Sequence, residues 1–401
     1  MGKNRRQKAQ QRQEQMASSS SFAGQTNVHP TAIGNQEEQK EEEEQVFSQA
    51  MELVYGSLIP MAMHTAIELG VFEILGKVES GATLSSEQIV AQMPTTNPDA
   101  PALVERICSF LALHGVLGCS LVDDVDTLPF QRLYYLKPVS KHFARCCNQD
   151  GVSLAPLVAL VHDKVYLESW SQLKNVILEG GHAFNRAHDG MNAYEYASKD
   201  ARFSQVFNTA MFNRTTILVK KMLESYKGFE KLKQVVDVGG GIGVALSLIT
   251  SKYPNIKGIN FDLPHVIQHA PPFPGVKHVA GDMFESVPKG DAIFLKGILH
   301  AWSDDCCLKL LKNCYNALPN TGKVIVLEQI LPIYADIAPF FQEKSLSDML
   351  MMTQTPGGKE RMQQELFALA FGAGFKGISI AGRVCNTIVL EFIKYPTEIR
   401  Q

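Results

Sequence analysis

Apolar positions begin to recur at helical spacing near Val46. Phe47, Met51, Val54, Leu58, Met61 and Ile67 form one stripe, interrupted by Pro60. Residues 1–45 differ, being rich in Gln, Ser and Glu with few large apolar side chains. They are expected to form a disordered tail, because they bury too little surface to offset chain entropy. Leu69 to Leu75 continues helical after a break. Ser85 and Gln88 are spaced as a capping box, and Asn97-Pro98-Asp99 opens a helix from Ala100 to Leu113. Gly115 ends that helix, and short strands follow at Leu117 to Val122 and Tyr134 to Leu136. Three helices and a two-stranded wing make a winged-helix order.

Residues 150–230 read as helices over Lys164 to Leu178, Ala201 to Phe212 and Thr216 to Tyr226. Beyond Lys233 the pattern changes. Short strand-like runs alternate with helical stretches: Val235–Val238, Ile256–Asp262, Val276–Val279, Asp291–Lys296 and Lys323–Glu328. That alternation predicts an α/β, doubly wound domain with a parallel sheet. Gly377 to Ala381 and Thr387 to Phe392 read as a hairpin at one sheet edge. The predicted domains are a tail at 1–45, a winged-helix-like module at 46–150, a helical linker at 151–232 and the doubly wound domain at 233–394.

Composition narrows the function classes. The 401 residues are 45% hydrophobic and 20% charged with net charge −3, which argues against nucleic acid as a partner. The presumptive second helix of the winged module carries Val104, Ile107, Phe110 and Leu111, too apolar to read a groove and suited to a homodimer interface. No apolar run approaches membrane-spanning length, and no secretory h-region follows Met1, so a cytoplasmic protein without membrane contact is expected. The eight cysteines include Cys146-Cys147 and Cys306-Cys307 but no C-x-x-C spacing, so neither zinc nor a disulfide framework is expected.

The chemistry starts at Asp237-Val238-Gly239-Gly240-Gly241-Ile242-Gly243, a strand entering a glycine turn before a helix. A dinucleotide loop would place its last glycine at position 244, which is Val244. G-x-G-x-G behind an acid suits a small cationic adenosine ligand, S-adenosylmethionine. Asp262 ends the next strand about 20 residues on, where a doubly wound fold puts the ribose-binding acid. Asp282 and Met283 follow the third strand, a carboxylate and a soft side chain suited to an adenine ring. Each Asp alone reads equally well as a turn residue at a strand end; their common register favours the ligand.

Lys296 ends the fourth strand, and Gly297-Ile298-Leu299-His300 leaves its carboxyl end, where ligands sit in open α/β sheets. A phenol titrates near pH 10 and needs a base to become a nucleophile. His300 is the candidate, with Glu328 or Glu360 to orient it. As isolated residues, His300 reads as a cap, Glu328 as a surface carboxylate and Glu360 as an acid complementing a helix dipole.

These motifs resemble those of the plant small-molecule O-methyltransferases, closest to the caffeic acid 3-O-methyltransferase type. The resemblance is carried by Asp237–Gly241, Gly258–Val266, Gly281–Phe284, Gly357–Arg361, Thr95–Ala100 and Asn148–Pro156, and covers residues 46–394. It implies a homodimer with an N-terminal dimerisation domain, using S-adenosyl-L-methionine, releasing S-adenosyl-L-homocysteine and requiring no metal. It maps the base onto His300, its flanking acids onto Glu328 and Glu360, and cofactor contacts onto Gly239, Asp262, Asp282, Met283 and Lys296. Met211 and Met351 correspond to methionines that sandwich the aromatic acceptor, although core packing explains both from the residues alone. The implied reaction is methylation of a phenolic hydroxyl on a phenylpropanoid, flavonoid, stilbene or similar plant-type metabolite. N-methylation of an aromatic or alkaloid amine, or a catalytically weak dimer partner, are the alternatives.

Four positions depart from the pattern. Ala301 replaces the Asp expected after the base, Gly297 replaces a large aromatic, and Val161 and Thr355 replace acceptor-facing amides. Ala301 removes a carboxylate beside the base, so either Glu328 and Glu360 suffice or turnover is slowed, and the other three predict a roomier, less polar acceptor pocket.

Overall fold

The computed structural model describes residues 32–79, 81–121, 131–333 and 339–395. The chain divides into two compact units, Met1–Leu58 and Ile59–Gln401. The first contributes the helix Ala32–Tyr55. Order therefore starts before Val46, and the expected disorder of 32–45 is corrected. Glu, Gln and Lys are strong helix formers, so a run too polar to build a core still helps to propagate a helix. The rest of the expected tail lies outside the described residues. The helix ends before Gly56, not at Pro60, which sits in the first turn of Leu58–Glu68 where its missing N–H costs nothing.

In the second unit Ser85 caps Ser86–Val90 with the expected capping box to Gln88. β1 (Leu117–Leu121) pairs antiparallel with β2 (Arg132–Leu136); Val122, the expected last residue of the first strand, lies outside the described residues. Phe72, Leu75, Ile89, Leu111 and Tyr134 are buried together beneath the wing. The helix Ala100–Leu113 spends Val104, Cys108 and Leu111 on that core, and its Glu105 accepts hydrogen bonds from Arg132 (3.0 Å) and Tyr134 (2.8 Å).

Two helix boundaries differ from expectation. Lys164 to Leu178 is split into Lys164–Trp170 and Leu173–Glu179, with the Ser171 hydroxyl donating to Glu168 O at the break. The two helices expected on either side of Asn213 are one, Ala201–Ser225. Asn213 is compatible with a helix interior because both ends of its amide are engaged: it donates to Thr209 O and accepts from Ser153 N.

The main sheet contains β3 (Gln234–Val238), β4 (Lys257–Asp262), β5 (Val276–Ala280), β6 (Ala292–Lys296), β7 (Lys323–Glu328), β10 (Gly377–Val384) and β11 (Thr387–Ile393). Its order is β10-β11-β7-β6-β3-β4-β5, with β11 antiparallel to β7 and β10, and the other pairs parallel. A small parallel pair joins β8 (Ile330–Leu331) to β9 (Arg361–Met362). Alternate residues fill opposite faces. Val236, Val238, Ile293 and Leu295 pack toward Asp304–Ala317 and Gln363–Gly372, while Val235, Phe294 and Ile325 pack toward Ala201–Ser225 and Val244–Lys252. Strand order reverses between β3 and β6, which opens a crevice at their carboxyl ends. Among the described residues, no single helix is long and apolar enough to cross a membrane.

Candidate active site

The glycine turn lies at that crevice. Gly239, Gly241 and Gly243 have φ of 67°, 58° and 91°, a region costly for other residues. A Cβ on Gly239 would lie 2.4 Å from Ile298 Cδ1, the end of a side chain that can shift, so it is the φ of 67° that calls for glycine. Asp262 is held against the turn by hydrogen bonds from Gly241 N and Leu263 N, both 2.7 Å. Asp282 is exposed at the end of β5 and accepts from Phe284 N (2.8 Å), while Met283 packs on the sheet core. Asp237 is buried with Oδ2 lacking a hydrogen bond. Burial pushes its carboxyl up to about 7, offset by the Lys296 charge. Burial and the charge of Arg214 push Lys296 down to about 8, against the pull of Asp237 and Glu328. Gly239, Asp262, Asp282 and Lys296 stand at the carboxyl ends of the parallel strands β3, β4, β5 and β6, and the tight turn, the fixed carboxylate and the under-satisfied buried Asp237 could receive a cationic ligand there.

Across the crevice His300 sits, buried, in the short turn Leu299–Ala301 after β6. Its Nδ1 is 2.9 Å from Glu360 Oε1 and 3.8 Å from Glu328 Oε2. Both candidate acids therefore meet the base. Glu328, at the end of β7, spends its other oxygen on Ile298 N (2.9 Å) and Leu299 N (2.8 Å). Glu360 Oε1 also accepts from the Ser347 hydroxyl (2.7 Å), and Glu360 N donates to Asp348 Oδ1 (2.8 Å). Burial alone would lower the imidazole, but the two carboxylates outweigh it and raise it above the ordinary histidine value. Burial raises Glu328, with help from the Glu360 charge. It would raise Glu360 too, but the hydrogen bond and charge of His300 hold that carboxyl low. One acid is thus pushed toward the proton and the other toward the charge. The Asp absent at Ala301 does not leave the base unsupported.

The segment around Glu360 is clamped to the His300 turn. Arg361 is buried and donates to Leu299 O (2.5 Å), Trp302 O (2.7 Å) and Asp304 Oδ1 (2.8 Å), and Lys359 N donates to His300 O (2.9 Å). A Cβ on Gly358 would fall 2.5 Å from His300 O, so glycine permits the approach. His300 Nε2 makes no hydrogen bond among the described residues. It borders Gly297, whose missing Cβ would lie 3.3 Å away.

Met211 and Leu350 both pack against the cluster of Tyr166, Phe184 and Phe203, and Met351 follows Leu350, half-buried, on the helix Pro339–Gln354. Tyr194 stacks on Trp302, with ring centroids 5.5 Å apart. Thr355 turns its hydroxyl back onto Met351 O (2.7 Å). Sequence reasoning assigned no role to Ser347, Asp348, Arg361, Tyr194 or Arg214. Only Arg361 carried a signal, its place beside Glu360 in Gly357–Arg361. Ligating atoms of His300, Glu328 and Glu360 lie within 4.8 Å of one another, close enough to hold a metal ion.

A doubly wound sheet with a glycine turn facing a carboxylate-supported histidine defines a small-molecule methyltransferase architecture. Residues 170–376 match the O-methyltransferase domain and residues 51–145 the O-methyltransferase dimerisation domain, and the chain belongs to this family of S-adenosylmethionine-dependent enzymes. It is 53% identical to a caffeic acid 3-O-methyltransferase of Clarkia breweri, over 92% of this chain and 97% of that protein. It is 50% identical to an anthranilate N-methyltransferase of Ruta graveolens, over 89% and 96%. The fold also matches human N-acetylserotonin methyltransferase in complex with its methyl donor, with TM-score 0.71 and 20% identity over 88% of this chain and 98% of that one.

Proposed function

We propose that the chain methylates a hydroxyl on an aromatic plant-type metabolite of the phenylpropanoid, flavonoid or stilbene kind, with His300 as general base. The observation that carries this reading is the asymmetry of the imidazole. Nδ1 is pinned by Glu360 and faced by Glu328, whereas Nε2 opens onto the space beside Gly297. Gly239, Asp262, Asp282, Met283 and Lys296 would hold S-adenosylmethionine, which when bound supplies a methyl group on positively charged sulfur. As the acceptor oxygen takes the methyl, Nε2 takes its proton, and Glu360 with Glu328 stabilises the resulting imidazolium. Met211 and Met351 would flank the acceptor ring.

The chemistry needs no metal in this proposal. Glu360 Oε1 is engaged by Ser347 and Nδ1 and Glu328 Oε1 by two backbone N–H groups, which leaves Glu328 Oε2, 3.8 Å from Nδ1 and without a hydrogen bond among the described residues, to face the imidazolium charge. A homodimer is supported by the dimerisation-domain match and by an apolar groove of about 980 Å³ lined by Ala62, Leu69, Met93, Leu103 and Leu113. Eight free thiols support a reducing, cytoplasmic location. The anthranilate N-methyltransferase relative supports amine methylation as a second reading.

Labelled S-adenosylmethionine with a panel of phenols and aromatic amines tests both. His300→Ala should lower phenol methylation by about 10²–10⁴-fold while retaining S-adenosylhomocysteine binding. Full activity in that variant would remove the base role. Transfer by wild type to amines alone would select the second reading.

A further inference from the structure

Among the described residues, Arg214 is a cation near the base that neither the mechanism above nor the clamp on the His300 turn uses. It lies on the helix Ala201–Ser225, three residues after Met211 and four before Leu218, so all three share a helix face. Met211 belongs to the cluster that includes Leu350, and Leu218 to the cluster with Phe294 and Leu327 beneath the sheet. Arg214 therefore sits where this face passes from the acceptor side to the strand ends. Its side chain is half-buried and makes no hydrogen bond or ion pair among the described residues. Its charge nevertheless acts on Lys296, His300 and Glu360. Glu360 spends Oε1 on His300 and Ser347 and leaves Oε2 without a hydrogen bond, so it meets Arg214 through charge and not through an ion pair.

A guanidinium cannot shed its proton, so unlike Lys296 it cannot relieve partial desolvation by becoming neutral. Its planar fork matches a carboxylate with two parallel hydrogen bonds. We propose that Arg214 binds a carboxylate borne by the methyl acceptor, making the preferred substrate an aromatic acid whose ring lies in the space beside Gly297. Such a partner would also cancel the one cation that disfavours protonation of His300, so the correct acceptor would strengthen its own base. The inference rests on the methyl-transfer reading above. It adds the acceptor's charge and the residue that selects it.

The test compares caffeic acid with its methyl ester and anthranilic acid with its methyl ester, in wild type and in Arg214→Leu and Arg214→Lys. S-adenosylhomocysteine affinity is measured by calorimetry alongside, and thermal unfolding checks that the variants fold. Wild type should prefer at least one acid over its ester in kcat/KM. Arg214→Leu should shrink that preference by about ten-fold or more, and Arg214→Lys should restore part of it. Equal use of acid and ester by wild type would overturn the inference but keep the methyl-transfer reading. So would an unchanged preference in Arg214→Leu. A ten-fold loss of S-adenosylhomocysteine affinity would also overturn it, by showing that Arg214 holds the cofactor's own carboxylate. No transfer by wild type to either acid would overturn it outright.

Discussion

The two sides of the crevice are built by different means. The cofactor side comes from one stretch of chain, Asp237 to Lys296, and much of its geometry is backbone: three left-handed glycines and amides of residues 241 and 263 holding Asp262. The base side is assembled from side chains distant in sequence, with Glu328 and Glu360 reaching a histidine 28 and 60 residues earlier. A backbone-built site should tolerate loss of a single side chain but not added bulk. A side-chain-built site should show the opposite. Replacements on each side can break this contrast.

The largest effect is expected where bulk enters the backbone-built side. Gly239→Val would force a β-branched residue to φ 67° with a Cβ 2.4 Å from Ile298. Calorimetry should show S-adenosylhomocysteine affinity reduced by about 100-fold or more, equivalent to roughly 3 kcal/mol. Ile298 N also hydrogen-bonds Glu328, so methyl transfer should collapse as well. Cofactor affinity within ten-fold of wild type would show that the turn can yield, and the proposed contrast would fail.

The same contrast explains what could be read from the chain. Turn, strand-end acids and sheet were legible because each is a local pattern: an apolar run, a glycine spacing, an Asp at a fixed offset. The helices were legible in kind but less so in extent. The fused Ala201–Ser225 depends on Asn213 finding a partner in Ser153, sixty residues away, and no local propensity reports that. His300, Glu328 and Glu360 could be named individually, but their convergence came from family resemblance rather than spacing. Ser347 and Asp348 were invisible as site residues and Arg361 showed only as a motif neighbour of Glu360, since their roles exist only once the segment Gly357–Arg361 folds against the His300 turn. Arg214 carried no motif at all.

On the side-chain-built side the middle-sized effect is a shift in pH dependence. A base must be neutral to accept a proton, so activity is lost as pH falls through the His300 pKa. The two carboxylates raise that pKa, so the acid limb of kcat/KM should centre above the ordinary histidine value of about 6.5. Glu360→Gln removes the nearer charge and weakens the preference for imidazolium. Its acid limb should therefore move to lower pH, with kcat/KM on the alkaline plateau reduced by roughly 10-fold or more as the imidazolium in the transition state loses support. A pH–rate profile measured at saturating S-adenosylmethionine checks both. An unmoved limb would assign the observed ionisation to another group.

The smallest effect belongs to Asp282→Ala. The residue is exposed, its hydrogen bond is local, from Phe284 N, and it makes no ion pair among the described residues. If it contributes one solvent-accessible hydrogen bond to the adenosine end of the cofactor, removal should weaken S-adenosylhomocysteine binding by about 2- to 10-fold, the net worth of such a bond. KM for S-adenosylmethionine should rise in proportion, and kcat at saturating donor should hold, because the carboxylate is remote from the proton transfer. A loss of affinity near that of Gly239→Val would mean that side chains, not backbone, carry the cofactor side. The distinction between the two sides of the crevice would then lie only in sequence distance, and not in what holds the ligand.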